Sequence, residues 1–498
     1  MSSTADKSRA AQKPALQILL LLAFYVVVWT LYANWTQLNL DGFGDMLENF
    51  SWGIAWQNGY FKHPPLFAWI TAAWFSVFPR ADWAYYLLSA VNSAVAFLAS
   101  WRIAVRFLDP WRAAMSTALF FFLPPVSFLA IKYNANAAML PFWAATVLFY
   151  LRFLEKRRLL DAILLGALAA CSMLVKYYSA ALLGAICLHM LFDREARALF
   201  AGAGVWVASA VFLLVMAPHL VWLVEHDFLP LTYAAEQGDG SALAGIASAP
   251  RFLGALIAYL LPAILVLAIA LMRNGRGAWF ETRQIAALRN SLTGRALLWT
   301  SFGSLGLTLV LGIVLAARFS SVWALPLYFS APILLMLFIR PGRLETWKAV
   351  IPIAVVVYST ALLALSPFIR AEEAKDSSNY NGVPVRAIAL EIEKIWDDRF
   401  DKPLAYVAGD KILASGSSFY ASARPFSMQD SSFRLTPWVT EADVRSNGIV
   451  IACFAEQAWC LNAAGKFPVR ATEEERISVP GFTDEKIWDV RLFIVPPA

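Results

Sequence analysis

The chain has 498 residues, 59% of them hydrophobic and only 15% charged, with a mean hydropathy of +0.58. A soluble domain carries nearer a quarter charged residues, so the repeated apolar runs of about 18 residues or more read as transmembrane helices rather than as a soluble core. The net charge of +6 requires no nucleic-acid partner, because Lys and Arg cluster in short loops as the positive-inside rule demands.

The first apolar run, Ala15–Ala33, follows Lys7, Arg9 and Lys13, and no small-residue cleavage site comes after it. A retained helix is expected, with residues 1–14 cytoplasmic. It delivers an outer loop over residues 35–82, whose centre, Asn39–Pro65, carries Asp41, Asp45, Glu48, Lys62 and His63. Pro64–Phe78 is apolar but, at about 15 residues, too short to span, and reads as an interfacial or re-entrant helix. Further spans are expected over Trp83–Phe107, Ala113–Ile131, Ala137–Phe153, Leu159–Val175, Tyr177–Leu191, Leu199–Leu223, Phe252–Met272, Leu297–Ala316, Val322–Phe338 and Ala349–Phe368, about eleven in all. Most basic clusters then fall on one side: Arg102 and Arg106, Lys156–Arg158, Arg194 and Arg197, the loop with Arg273, Arg276, Arg283, Arg289 and Arg295, and Arg340, Arg343 and Lys348. Lys62, Lys132, Lys176 and Arg318 fall on the other. Cations placed against the rule either bind an anion at the outer face or snorkel to headgroups.

Beyond Ala371 the composition changes. A polar linker, Glu372–Asn381, precedes an amphipathic helix over Val385–Trp396 and strand-like runs at Leu404–Val407, Ile449–Phe454 and Val490–Val495. Residues 370–498 are expected to form a small α/β domain. It holds no His, and Gly409–Asp410 and Ser415–Ser418 do not make a phosphate loop. An accessory role without chemistry of its own is expected. Cys171 and Cys187 read as core packing, whereas Cys453 and Cys460 are able to pair if the domain lies in an oxidising compartment. The predicted fold is a membrane all-α polytopic helical bundle of about eleven spans, with outer-face juxtamembrane helices and a C-terminal soluble α/β domain.

Asp45 and Glu48 stand three apart and share a face if Asp45–Trp56 is helical. Gly42 and Gly44 suit a turn into that helix, whose start favours an acid. Asp45 is therefore a helix cap, a general base or a ligand for a divalent cation. Lys62 and His63, ahead of the rigid Pro64–Pro65, form a phosphate clamp or an interfacial anchor. Asn134 and Asn136 open a helix, where capping is the default role. His219, Glu225, His226 and Asp227 are dense, but their spacing fits no tight metal motif, and a core or capping role suits His219.

The run DMLENFSWGIAWQNGYFKHPPLFAW resembles the first outer loop of the lipid-phosphosugar-dependent glycosyltransferases of the GT-C superfamily. That superfamily includes the protein O-mannosyltransferases, the aminoarabinose transferase acting on lipid A, and the rhizobial galacturonosyltransferases. Bacterial members place an Asp-Glu pair ahead of a Lys/His/Asp-rich segment ending in Pro-Pro; here Asp45 stands 18 residues before His63, followed by Met46 rather than Glu. NAAMLPFW is similar to the family's second outer loop, with Asn136 in place of an Asp. MLVKYYSA, APHLVWLVEHDF and ARFSSVWALPLYFSAP are similar to its later segments and carry over Lys176, His226 with Asp227, and Arg318. The likeness covers about residues 15–340.

The resemblance implies a sugar donor on a polyprenyl phosphate, an acceptor hydroxyl on an envelope glycolipid (lipid A or core), and inversion at the anomeric carbon. Asp45 is implied as catalytic base. Lys62, His63, Asn136, Lys176, His226 and Arg318 are implied as substrate-binding residues, with Asp41, Glu48 and Asp227 in support. A divalent metal cation at Asp45 is a candidate cofactor that the sequence does not require. The implied location is a bacterial inner membrane, with the site and C-terminal domain periplasmic and membrane lipid a further partner. A transporter or flippase would instead need charged residues near the bilayer midplane, and a ligand-binding receptor would leave the Asp45–Pro65 loop without a role.

Overall fold

The computed structural model describes residues 4–236, 242–272, 283–340, 350–375, 380–483 and 486–498. Its helices are α1 (Thr4–Thr36), α2 (Asp45–Ala55), α3 (Leu66–Phe75), α4 (Asp82–Ala104), α5 (Pro110–Ala118), α6 (Ala135–Lys156), α7 (Leu159–Val175), α8 (Ala180–Phe192), α9 (Arg194–Arg197), α10 (Ala203–Glu225), α11 (Leu229–Glu236), α12 (Ala242–Met272), α13 (Arg283–Asn290), α14 (Leu292–Leu298), α15 (Ser304–Val314), α16 (Ala331–Leu337) and α17 (Val350–Glu373). The C-terminal part adds α18 (Val385–Asp397), α19 (Lys411–Tyr420), α20 (Glu441–Asn447) and α21 (Ala458–Gly465). Its five strands are β1 (Tyr406–Gly409), β2 (Phe426–Gln429), β3 (Ile449–Phe454), β4 (Glu473–Pro480) and β5 (Ile487–Val495). The chain divides into two compact units, one of residues 1–31 and 87–363, the other of residues 32–86 and 364–498.

The first unit is helical. Among the described residues, seven helices of the chain are long and apolar enough to cross a membrane, at 15–36, 82–104, 135–156, 203–225, 243–272, 292–314 and 350–373. An eighth crossing arises if Pro110–Phe122 and Pro124–Ile131, bent by 81° at their junction, count as one. This corrects the expected eleven. The expected span Ala113–Ile131 breaks at Pro124–Pro125, where the rings remove backbone donors and push the preceding residue out of the helical region. The helices α7 and α8, 17 and 13 residues long, rise about 25 and 20 Å, short of a hydrocarbon core of about 30 Å. Val322–Phe338 is a 3₁₀ segment, Ser321–Phe329 with Pro326 inside it, followed by the short α16.

Close approach within this unit is set by small residues: a Cβ on Gly166 of α7 would stand 2.2 Å from the carbonyl oxygen of Ala208 on α10. Ion pairs lie near the ends of the apolar runs. Arg152 holds the buried Asp161 at 2.6 Å, Arg295 meets Asp193 and Glu195, and Arg106 pairs with Glu155. Arg112 binds Asp109 and the Ile339 carbonyl. Arg273, Arg276, Arg343 and Lys348 lie outside the described residues. Cys187 is exposed, not packed in a core as expected.

The second unit is an α/β domain built together with the 32–86 segment. Its sheet has the order β2-β1-β3-β5-β4, with β1 parallel to β2 and β3, and β5 antiparallel to β3 and β4. Two of these strands escape the sequence reading. FSMQ is only four residues long, and EEERISVP carries charge along an exposed edge. Cys453 and Cys460 form a disulfide. Phe50 of α2 meets Phe75 of α3 and Phe419 of α19 edge-on, at centroid separations of 5.4 and 5.0 Å. The Asn39 amide donates to the Tyr380, Asn381 and Val383 carbonyls at 2.7–3.2 Å, and the Tyr380 amide donates to Gly42 O at 3.0 Å.

Candidate active site

The head of α2 is fixed by Asp41. Its Oδ1 accepts from the Phe43 and Asp45 amides at 2.8 and 3.2 Å, and its Oδ2 from the Met46 amide at 2.8 Å. The Asp45 and Met46 amides are first-turn donors that the helix cannot satisfy itself, and the Phe43 bond closes the turn that leads into it. Gly44, just before the helix, has φ +72°, a conformation in which a Cβ is strained, and a Cβ there would stand 2.7 Å from Ile412 Cδ1. Capping thus falls to Asp41, and the Asp45 carboxylate is spared that role. It is 31% exposed and faces the Lys411 ammonium at 3.9 Å.

One turn on, Glu48 is turned inward, with its side chain 7% exposed, and the Lys62 ammonium donates to its Oε1 at 2.6 Å. The same ammonium lies 4.9 Å from the Phe61 ring centroid and 6.0 Å from that of Trp52, close enough for cation–π attraction. Lys62 is presented by a tight turn in which the Tyr60 amide donates to His63 O at 3.0 Å and the Tyr60 hydroxyl to Trp52 O at 2.6 Å. The His63 ring stands edge-on to Trp52 and Phe67. The spacing of Asp45 and Glu48 does give a shared helix, which ends at Ala55, with Trp56 left-handed at its cap.

Two further charges come from the C-terminal part, for which the sequence predicts an accessory role. Lys411 begins α19, directly after the cap Asp410, whose Oδ1 accepts from the Ile412 amide at 2.9 Å. Asp430 follows β2. Its carboxyl is raised above the usual range by desolvation, with Glu48 adding to the rise and Lys62 and Lys411 opposing it. A strand followed by Gly-Asp-Lys and a helix marks Lys411 only as a residue at a helix start; its approach to Asp45 is a long-range contact.

The remaining expected residues lie in the first unit. Asn134 caps α6, its side chain accepting from the Asn136 and Ala137 amides. Asn136 Oδ1 accepts from the Lys176 ammonium at 2.5 Å, so these two are brought together. Lys176 sits in extended backbone at the end of α7. His219 is buried, hydrogen-bonded through Nε2 to the Tyr177 hydroxyl at 2.8 Å and stacked on Tyr177 and Trp222, which is the core role expected of it. His226 stacks on Trp222 at 4.2 Å, with Nδ1 2.9 Å from the Trp222 carbonyl oxygen. Asp227 is exposed in a left-handed turn. Arg318 is exposed between α15 and the 3₁₀ segment, beside Phe319, whose amide donates to Ser248 Oγ at 3.1 Å. Among the described residues no three His, Cys, Asp or Glu side chains are grouped so as to hold a metal ion. The charge that faces Asp45 is instead the Lys411 ammonium.

Residues 62–222 match the family model described as dolichyl-phosphate-mannose-protein mannosyltransferase. The lipopolysaccharide core galacturonosyltransferase RgtB of Rhizobium johnstonii is 26% identical over 374 residues, covering 72% of each chain. The lipid A galacturonosyltransferase RgtD of the same organism is 24% identical over 188 residues, 38% of this chain and 39% of its own. Among solved structures, ArnT from Cupriavidus metallidurans bound to undecaprenyl phosphate superposes with a TM-score of 0.62 at 15% identity, covering 95% of this chain and 98% of that one.

Proposed function

We propose that this chain, a GT-C glycosyltransferase of the membrane, moves a sugar from a polyprenyl-phosphate donor to a hydroxyl of lipid A or core oligosaccharide. The observation that carries this reading is the likeness to RgtB over most of both chains. The names of the two Rhizobium relatives make a uronic acid the sugar of first choice.

In this scheme Asp45 takes the proton of the acceptor hydroxyl as its oxygen attacks the anomeric carbon. The bond from that carbon to the phosphate oxygen breaks, and the phosphate leaves with the electron pair on its lipid. One displacement inverts the carbon. Charge grows on the phosphate as the bond breaks, so cations aimed at it stabilise the transition state more than the ground state. In the second unit Lys62 and His63 are assigned to that task, each good contact contributing about 1.5–3 kcal/mol. In the first unit Lys176, with Asn136 bonded to it, Arg318 and His226 are separate candidates for binding substrate, with Asp227 in support. Glu48 holds Lys62 until the donor arrives.

The reaction is assigned to the periplasmic face of the inner membrane, a compartment that suits the Cys453–Cys460 disulfide. The test is mass spectrometry of envelope glycolipids with and without the gene, followed by reconstitution in vesicles carrying undecaprenyl-phosphate-linked galacturonic acid. Gene-dependent loss of a hexuronosyl mass from lipid A or core supports the scheme. Full transfer by a folded Asp45→Asn variant removes Asp45 from the role of base.

A further inference from the structure

We infer that the C-terminal domain supplies the acceptor subsite, with Lys411 and Asp430 binding hydroxyls of the saccharide that presents its attacking oxygen to Asp45. This rests on the reaction proposed above.

The sheet itself marks the place. The chain leaves β1, forms α19 and returns as β2 on one side of β1; it then crosses by α20 to β3 on the other side. The strand order therefore reverses at β1. In open parallel sheets, ligands bind outside the carboxyl ends of the strands at such a reversal. Here those ends carry Gly409–Lys411 after β1, Asp430 after β2 and Ala455–Gln457 after β3. Backbone bonds tie them together: the Asp430 amide donates to Gly409 O at 3.1 Å and the Asp410 amide to Ala452 O at 2.9 Å. The fold leaves polar capacity unused at this end. Asp410 is 1% exposed, and Gln457 Oε1 is buried there without a hydrogen-bond partner.

The second observation is where this end is held. The helices α19 and α2 pack side by side in the same direction. Ile412 lies against Gly44, Ser415 Oγ stands 3.5 Å from Ser51 Oγ, and Phe419 meets Phe50. Both helix starts consequently lie together, and Lys411 reaches Asp45. A hydroxyl delivered to Asp45 arrives beside Lys411, within the field that Asp430 shares with Lys62, Glu48 and Lys411. An ammonium that only donates and a carboxylate that only accepts are complementary to sugar hydroxyls, which do both. The donor's phosphate is assigned to Lys62 and His63, and its hydrocarbon tail needs apolar surface rather than groups that bind hydroxyls, so Lys411 and Asp430 fall to the acceptor.

The experiment uses the full chain in vesicles with undecaprenyl-phosphate-linked galacturonic acid and purified lipid A–core glycolipid. Lys411→Met keeps the stem beside Gly44 and removes the ammonium; Asp430→Asn removes the charge. Each is expected to raise the acceptor KM about tenfold, the size of one lost charge-assisted contact, while the donor KM stays in place. Lys411→Arg is expected to recover most of the acceptor KM. A donor KM that rises while the acceptor KM does not, or a fall in kcat with neither KM moving, overturns the inference. Thermal unfolding accompanies each variant. Should Asp430→Asn unfold, Asp430→Glu replaces it, and an unchanged acceptor KM there counts against the subsite. Normal transfer by Asp45→Asn would instead fail the reaction scheme, while the KM split at Lys411 stays readable on its own.

Discussion

Lys62 Nζ lies 2.6 Å from Glu48 Oε1, with only 18% and 7% of the two side chains exposed. The pair joins the last residues of the 59–63 turn to the inner face of α2. Removing one partner of such a pair strands the other charge in a poorly hydrated place, whereas removing both is close to neutral. Lys62→Met is therefore expected to cost about 2–3 kcal/mol, at the lower edge of the buried-pair range because neither side chain is wholly enclosed. Glu48→Gln with Lys62→Met should recover most of that loss. Transfer should stay low in both, because the ammonium assigned to the phosphate is absent from each. Thermal unfolding in detergent beside a transfer assay separates the two effects; a double variant that regains activity along with stability would confine Lys62 to a structural part.

Asp41 accepts three backbone amides at the start of α2, so its removal should loosen the segment that aims Asp45. Asp41→Ala is expected to cost about 1–2 kcal/mol of stability and to lower kcat more than either KM, since Asp45 would be displaced rather than lost. Asp41→Asn, which keeps one acceptor oxygen, should fall between. Equal activity in Asp41→Ala and the wild type would show that the cap does not position the base.

Periodicity and charge placement made the membrane class and the 39–65 loop legible, because hydropathy and i,i+3 spacing are local properties. Glu48 is a case where locality gave only half the answer. Its helix and face follow from spacing, while its engagement by Lys62 depends on the turn set by Tyr60 and His63. Lys411 was out of reach for a different reason. It lies 366 residues beyond Asp45, and only the packing of α19 along α2, Ile412 against Gly44 and Phe419 on Phe50, brings the two helix starts together. Strand β2 failed because four residues carry too little pattern. The extra spans failed because apolar runs of 13–17 helical residues fall short of a bilayer and because apolarity alone does not reveal the break at Pro124–Pro125 or the 3₁₀ segment around Pro326.

The charges around Asp45 are paired acids and bases rather than a convergent set of metal ligands. Transfer is therefore expected to persist at full rate after dialysis against EDTA, and added Mg²⁺ or Mn²⁺ should leave it unchanged. A chelator-sensitive rate restored by a divalent cation would bring that cation back into the scheme at Asp45.

Asp410 provides a pH test outside the membrane helices. Burial lifts its carboxyl above the ordinary carboxylate value, and the Gln457 side chain and the Ile412 and Leu413 amides only partly offset this. Its folded pKa thus exceeds its unfolded one, so in the window between them the native state binds more protons than the unfolded chain. Stability contributed by this group then rises as pH falls from above the folded pKa toward about 4, the unfolded aspartate value. Asp410→Asn retains a capping oxygen and removes the buried charge, so it should unfold at a higher temperature than the wild type at neutral pH. The difference should shrink as pH is lowered through that window. Thermal midpoints measured from pH 4 to 8 check both parts, and a variant less stable than the wild type at pH 7 would show that ionised Asp410 is held by stronger partners than its burial suggests.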